Sequence, residues 1–174
     1  MASNKTQRLF PFVLAAGVVL LDRFTKGLIK SNIGLWDRPH DVIPGFFDIV
    51  HTENPGIAFG LLADASGAWR NVVLIGFSIA VLTVIATMLL RGTHSALLRN
   101  GLALVLGGAF GNLYDRIVNR TVTDFIEVHA GPHYFPAFNV ADSAISVGAG
   151  LLLLDMWLTR ERKSAGSSPE CSRS

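Results

Sequence analysis

The sequence has one cysteine, Cys171, and it stands in a polar C-terminal stretch. It can form no disulfide within the chain, and nothing beside it marks a thiolate nucleophile or a metal ligand. Charge is also scarce: 16% of residues are Asp, Glu, Lys or Arg, and the net charge is only +2. No basic run interleaved with aromatics occurs, so nucleic-acid binding has no support. The histidines His40, His51, His94, His129 and His133 have no metal-ligand spacing, which argues against a zinc or di-iron centre. No serine lies in a nucleophile-elbow context, and no internal repeat is evident. What the chain has in excess is apolar residues: half of it is hydrophobic, with a mean hydropathy of +0.43. That excess excludes an ordinary soluble domain and predicts several membrane spans in one domain.

Four apolar segments fit that reading, at about residues 10–29, 72–90, 96–113 and 139–158. The first begins like a secretory signal peptide, with Lys5 and Arg8 ahead of Phe10–Leu21. Asp22-Arg23 follows instead of a small-residue cleavage site, which favours an uncleaved helix. Asp22 and Lys26 then lie one turn apart on one face, where they can pair. The third segment carries Gly107 and Gly111 at the small-xxx-small spacing that lets helices approach closely. Arg160, Arg162 and Lys163 are expected to stop the fourth helix, and residues 164–174 form a polar tail expected to be disordered.

The stretches at about 31–70 and 116–136 differ. They hold prolines and short alternating patterns such as Phe47–Thr52 and Thr121–His129, which read as small strands with turns. Four spans put both termini and the Arg91–Arg99 loop on one side. Lys5, Arg8, Arg91, Arg99, Arg160, Arg162 and Lys163 make that side cytoplasmic by the positive-inside rule.

Two acids stand out. Asp124, in Val122-Thr123-Asp124-Phe125, lies on an alternating segment, and Asp142, in Phe138-Asn139-Val140-Ala141-Asp142-Ser143, lies at the mouth of the last apolar run. A carboxylate beside a bilayer is costly and is a functional candidate for that reason. Each also has a structural reading: Asn139 and Asp142 match a helix capping box, and Asp124 could be a solvated loop acid. Asp115-Arg116 reads as an ion pair at a helix end, and Asp155 as a partner of Arg160 or a snorkelling acid. A transporter with the acids as ion sites is the main rival, but it would favour acids near mid-span; a scaffold is the third possibility.

Taken together, Gly107–Arg116, Val122–Phe125, Phe138–Ser143, Asp22–Lys26 and Asn54–Phe59 resemble the lipoprotein signal peptidase (signal peptidase II) family of bacterial membrane aspartyl proteases. The likeness runs from about Phe10 to Trp157 with the motifs in order. Arg23 stands where a glutamine is common, and Pro55 and Ile57 depart from the asparagine-glycine loop. The resemblance implies an all-α integral membrane protein: one peptidase domain over residues 1–163, with four transmembrane helices, a small periplasmic β-cradle and a short extracytoplasmic helix. It implies location in the bacterial inner membrane with both termini cytoplasmic and the site on the periplasmic side. The implied reaction removes the signal peptide of prolipoproteins just before a cysteine bearing a diacylglyceryl group. Asp124 and Asp142 match the catalytic pair; Asn54, Asn112, Arg116 and Asn139 match polar site residues; Asp22, Lys26, Gly56 and Ala141 match site-supporting positions. No metal or cofactor is implied. The expected partners are the lipidated substrate, membrane lipid and acylated cyclic peptide inhibitors, and a monomer is expected to suffice.

Overall fold

A computed structural model of the chain describes residues 4–56, 68–92 and 95–166. Four helices and a small sheet follow in the order α1 (Asn4–Asn32), β1 (His40–Ile43), β2 (Phe47–Asn54), α2 (Ala68–Arg91), α3 (Ala96–Val118), β3 (Val122–Ala130), β4 (His133–Tyr134) and α4 (Val140–Gly166). The fold is mostly helical, but the antiparallel sheet β1-β2-β3-β4 keeps it from being all-α.

Among the described residues three helical stretches are long and apolar enough to cross a membrane: Trp69–Arg91, Ala96–Val118 and Val140–Glu161. Their apolar side chains face outward, as Phe77 and Leu90 on α2 and Leu153 and Met156 on α4 illustrate. A helix face that is apolar and uncovered suits lipid rather than water. α1 is inside-out in the same sense. Leu20 and Phe24 are exposed, whereas Asp22 and Lys26 are completely buried.

α3 is the central helix. It packs along α4, α1 and α2, and one apolar core forms where Ile85 and Leu89 of α2 meet Leu102 of α3. Its glycines permit the close approach. A Cβ on Gly108 would collide with the Ala141 carbonyl of α4, and one on Gly107 would lie 2.6 Å from the Ala15 carbonyl of α1. Ser95 caps α3 by accepting the Leu98 N–H.

Several helix ends differ from expectation. α3 runs past Leu113 to Val118 because Asp115 is fully buried rather than solvated. α4 continues through Arg160, Arg162 and Lys163, which were expected to stop it, and is helical to Gly166. The first residues of the expected tail, 164–166, are therefore helical, while 167–174 lie outside the described residues. Asp155 accepts a hydrogen bond from Ser95, across the α3–α4 contact, instead of pairing with Arg160.

The sheet packs at one end of the helices, with β3 against α1 and α3. β2 and β3 are antiparallel with Thr52 opposite Asp124, and the register shifts between Ile49 and Thr52; such irregularities re-aim side chains. After β4 the chain returns alongside β3, where Phe138 accepts from the Phe125 and Ile126 N–H groups at 3.0 and 2.8 Å. That return places Asn139, and hence the first turn of α4, beside Asp124. The expected short extracytoplasmic helix does not occur among the described residues between α1 and α2 or between α3 and α4. Residues 57–67 lie outside them, with part of the Asn54–Phe59 motif.

Candidate active site

Asp124 and Asp142 come from different elements and line one cavity of about 850 Å³, together with Asn54, Asn112 and Arg116. Asp124 is buried near the start of β3, whereas Asp142 is half-buried in the first turn of α4. Both carboxylates are held by amides. Asp124 accepts from Asn139 Nδ2 at 2.7 Å on one oxygen and from Asn54 Nδ2 at 3.0 Å on the other. Asp142 accepts from Asn112 Nδ2 at 2.8 Å and from the Asn139 backbone N–H at 3.2 Å.

The three asparagines are oriented by one device. Each amide oxygen faces a fixed donor, which turns its NH2 toward an acid. Asn54 Oδ1 accepts the Gly56 N–H at 2.9 Å. Asn139 Oδ1 accepts the Asp142 N–H at 2.9 Å. Asn112 Oδ1 accepts from Lys26 Nζ at 3.2 Å. The capping box read from the sequence is therefore present, with reciprocal Asn139–Asp142 bonds. The capping and site readings of these residues coexist, since the Asn139 side chain reaches Asp124 as well.

Beneath the asparagines lies a buried ion cluster. Lys26 Nζ sits 2.9 Å from Asp22 Oδ2 and 2.8 Å from Asp115 Oδ2, and all three side chains are fully buried. Arg23 also pairs with Asp115, and its guanidinium stacks 4.4 Å from the Tyr114 ring centroid. Two cations thus balance two anions, the condition for burying charge without a large penalty. Asp22 uses its other oxygen to accept the Ala141 N–H at 3.0 Å. This satisfies one of the free N–H groups at the start of α4 and ties α1 to the helix that carries Asp142. Gly111 leaves room for this: a Cβ there would lie 2.8 Å from Asp22 Oδ2.

The expected Asp115–Arg116 pair does not form. Successive helix residues point apart by about 100°, so Asp115 turns to α1 while Arg116 turns to the cavity. Arg116 donates to the Gly56 carbonyl at 3.0 Å and, more weakly, to the Asn112 carbonyl at 3.4 Å. Its positive charge acts on Asp142, Asp124 and Asp115.

Burial pushes the Asp124 carboxyl up to about 7, and the nearby charge of Asp142 adds to the rise. The hydrogen bonds from Asn54 and Asn139, and the charge of Lys26, work against it. A carboxyl in this range can hold a proton at neutral pH and release it during a reaction. Across β2 and β3, Glu53 accepts from Thr121 at 2.6 Å and Thr123 at 3.0 Å and pairs with Lys30 of α1 at 3.2 Å. Burial raises its carboxyl, but those partners outweigh it and hold it below its ordinary value. No group of three His, Cys, Asp or Glu among the described residues is placed to hold a metal ion. A second cavity of about 630 Å³ between α1, α2 and α3 has a lining that includes Phe12, Val19, Leu82 and Leu106 and no titratable side chain.

All ten residues singled out from the sequence meet in this network. Others were missed, among them Asp115, Arg23, Trp36, Glu53 and Thr123. Asp115 lies three residues after Asn112, on the same face of α3, and that spacing was the available signal. Thr123 is fully buried, and its carbonyl accepts from Asn139 at 3.3 Å; nothing in its local sequence marks it.

Residues 14–158 match the family profile described as signal peptidase (SPase) II. The chain belongs to the signal peptidase II family. It is 46% identical over 156 residues to the lipoprotein signal peptidase of Solibacter usitatus, covering 89% of this chain and 94% of that protein. It is 45% identical over 150 residues to the lipoprotein signal peptidase of Ectopseudomonas mendocina, covering 84% and 88%. A bacterial membrane enzyme solved by the in meso method at 2.3 Å shares the fold with a TM-score of 0.77 and 26% identity over 94% of each chain. Signal peptidase II is a protease family, and the apolar outward faces of the helices agree with the membrane character of that solved neighbour.

Proposed function

We propose that this protein is a membrane aspartyl endopeptidase that removes the signal peptide from prolipoproteins, cutting just before a diacylglyceryl-modified cysteine. The observation that carries this reading is the pair Asp124 and Asp142, drawn from a strand and a helix to one cavity and held by oriented amides on both carboxylates. Two facing acids do not comfortably ionise together, so the pair shares one proton and titrates as a unit. Asp124, lifted to about 7, holds that proton. Asp142 is assigned the role of base because it stands beside the N–H groups and positive dipole end of α4, which suit a developing or resting negative charge.

In the reaction Asp142 takes a proton from water, and the water oxygen bonds to the scissile carbonyl carbon. Asp124 donates its proton to the carbonyl oxygen, which gives a tetrahedral intermediate. Collapse breaks the C–N bond. The nitrogen leaves as the amino group of the cysteine after receiving a proton from Asp142, and Asp124 recovers its own. The signal peptide departs with a new carboxyl group. Arg116 supplies a positive charge to the singly ionised pair, and the polar wall offers partners to a peptide backbone that lipid cannot satisfy. The catalytic roles of Asp124 and Asp142 and the supporting roles of the asparagines, Arg116 and the Asp22–Lys26 cluster belong to this proposal.

The same reading takes α1 as a fourth span. Its exposed apolar face and buried Asp22 and Lys26 support that. One domain then covers residues 1–163 in the bacterial inner membrane, both termini are cytoplasmic, and the sheet and dyad lie on the periplasmic side. On this reading a monomer suffices. Acylated cyclic peptides inhibit by placing a polar group between the acids while the tail is buried in lipid.

The test is a gel-shift assay of the purified protein with a prolipoprotein carrying the diacylglyceryl group and with the same precursor unmodified. Cleavage of the lipidated form alone is expected. Equal cleavage of both, or of neither, contradicts the substrate assignment.

A further inference from the structure

One residue of the dyad cavity holds a backbone conformation its side chain disfavours. Trp36 has φ 61°, in the left-handed region, where a bulky side chain is an outlier and glycine or asparagine is the usual occupant. It sits third in a four-residue turn closed by the Asp37 N–H to the Gly34 carbonyl at 3.1 Å and by the Gly34 N–H to Asp37 Oδ2 at 2.9 Å. A turn with positive φ at its third position ordinarily uses glycine there. The segment is pinned to β2, because the Trp36 N–H donates to the His51 carbonyl at 3.0 Å and His51 Nδ1 lies 2.7 Å from the Ile33 carbonyl.

The fold gains little from the ring itself, since Trp36 is 68% exposed. Yet Trp36 lines the cavity that holds Asp124 and Asp142. Strain kept at the edge of a site, with no packing to explain it, points to a use in that site. The position suggests the use. Trp36 follows four residues after α1 ends at Asn32, at the level where the helices give way to the sheet. An indole suits that depth, with an apolar body and one polar N–H. The cavity wall is divided: Asn54, Asn112, Arg116 and the two acids are polar, while Trp36, Phe135 and Phe138 are aromatic, with Phe135 and Phe138 edge to face at 6.0 Å.

We infer that Trp36 is a substrate-binding residue whose indole packs on the glyceryl ester and first acyl methylenes of the lipidated cysteine, and that its left-handed backbone exists to aim the ring there. This rests on the proposed prolipoprotein peptidase reading. It accounts for a tryptophan where a turn needs glycine, and it separates lipid recognition on the aromatic wall from peptide recognition on the amide wall.

The experiment compares Trp36→Gly, Trp36→Asn and Trp36→Phe with the parent protein in detergent micelles. The readouts are Tm and the kinetics of a synthetic prolipoprotein peptide with long-chain or short-chain diacylglyceryl groups. For Trp36→Gly and Trp36→Asn, KM for the long-chain substrate is expected to rise roughly tenfold. Their kcat should stay within about twofold, and Tm should be unchanged or higher because the strain is relieved. Trp36→Phe should keep a KM near the parent's, and the short-chain substrate should show a smaller penalty. An unchanged KM, an equal penalty for both substrates, or a lower Tm accompanying the KM change would overturn the inference. Failure of the parent protein to cleave either substrate would count instead against the peptidase reading.

Discussion

Asp124 is the residue whose surroundings make the sharpest kinetic statement. Its carboxyl stands at about 7, raised first by burial and then by the charge of Asp142. In the proposed cycle it must be protonated to act on the carbonyl oxygen. Turnover should therefore fall as pH rises through about 7, and a kcat profile on a lipidated precursor checks this. A profile flat from pH 6 to 9 contradicts the role. Removing the neighbouring charge in Asp142→Asn should lower the Asp124 pKa below 7 yet leave it above its ordinary value, because burial remains. Carboxyl-resolved infrared titration reads that shift, and an upward shift would show that the two acids do not repel one another in the resting protein.

At the scale of elements, the contact between α3 and α4 sets the dyad. Gly108 touches the Ala141 carbonyl, one residue before Asp142, and a Cβ there has no space. Gly108→Val should push the first turn of α4 off α3. Overpacking of this kind costs about 1–3 kcal/mol, and a displacement near 1 Å at the reacting groups can cost roughly a hundredfold in rate. The expected variant inserts and folds but cleaves about a hundredfold more slowly, as thermal unfolding and a cleavage assay would show. Full activity would mean that this contact does not position Asp142. The elements themselves were largely legible. Long apolar runs marked the helices, alternation around Phe47–Thr52 and Thr121–His129 marked β2 and β3, and the Asn139–Asp142 spacing marked the start of α4. Helix ends were less legible because charge was read as solvation. Asp115 and Arg116 made α3 look finished at Leu113, whereas Asp115 is buried against α1 and Arg116 turns into the cavity. Partners distant in sequence were not legible at all: the Arg23–Asp115 pair joins residues 92 positions apart, and no local pattern encodes such a pairing.

At the scale of the molecule, among the described residues, the helices turn apolar side chains such as Phe24, Phe77 and Leu153 outward while Asp22, Lys26, Asp115 and Asn139 are buried between them. Site and membrane are coupled by this arrangement. α1 contributes Asp22 and Lys26 to the buried cluster while presenting Leu20 and Phe24 outward. Reporter fusions after Gly92 and after Arg162 should accordingly report cytoplasm, and one between Asp37 and Asp48 should report periplasm. A periplasmic signal at Gly92 would overturn the four-span arrangement. The central claim, however, is that the two acids work as one device, and cleavage rates of Asp124→Asn, Asp142→Asn and the double variant on a diacylglyceryl-modified precursor test it most directly. Groups that act as a unit are strongly non-additive. Each single variant should lose roughly a thousandfold or more, and the double variant should be little worse than either, with all three folded and inserted. Near-normal turnover in either single variant, or losses that multiply in the double, would contradict the account.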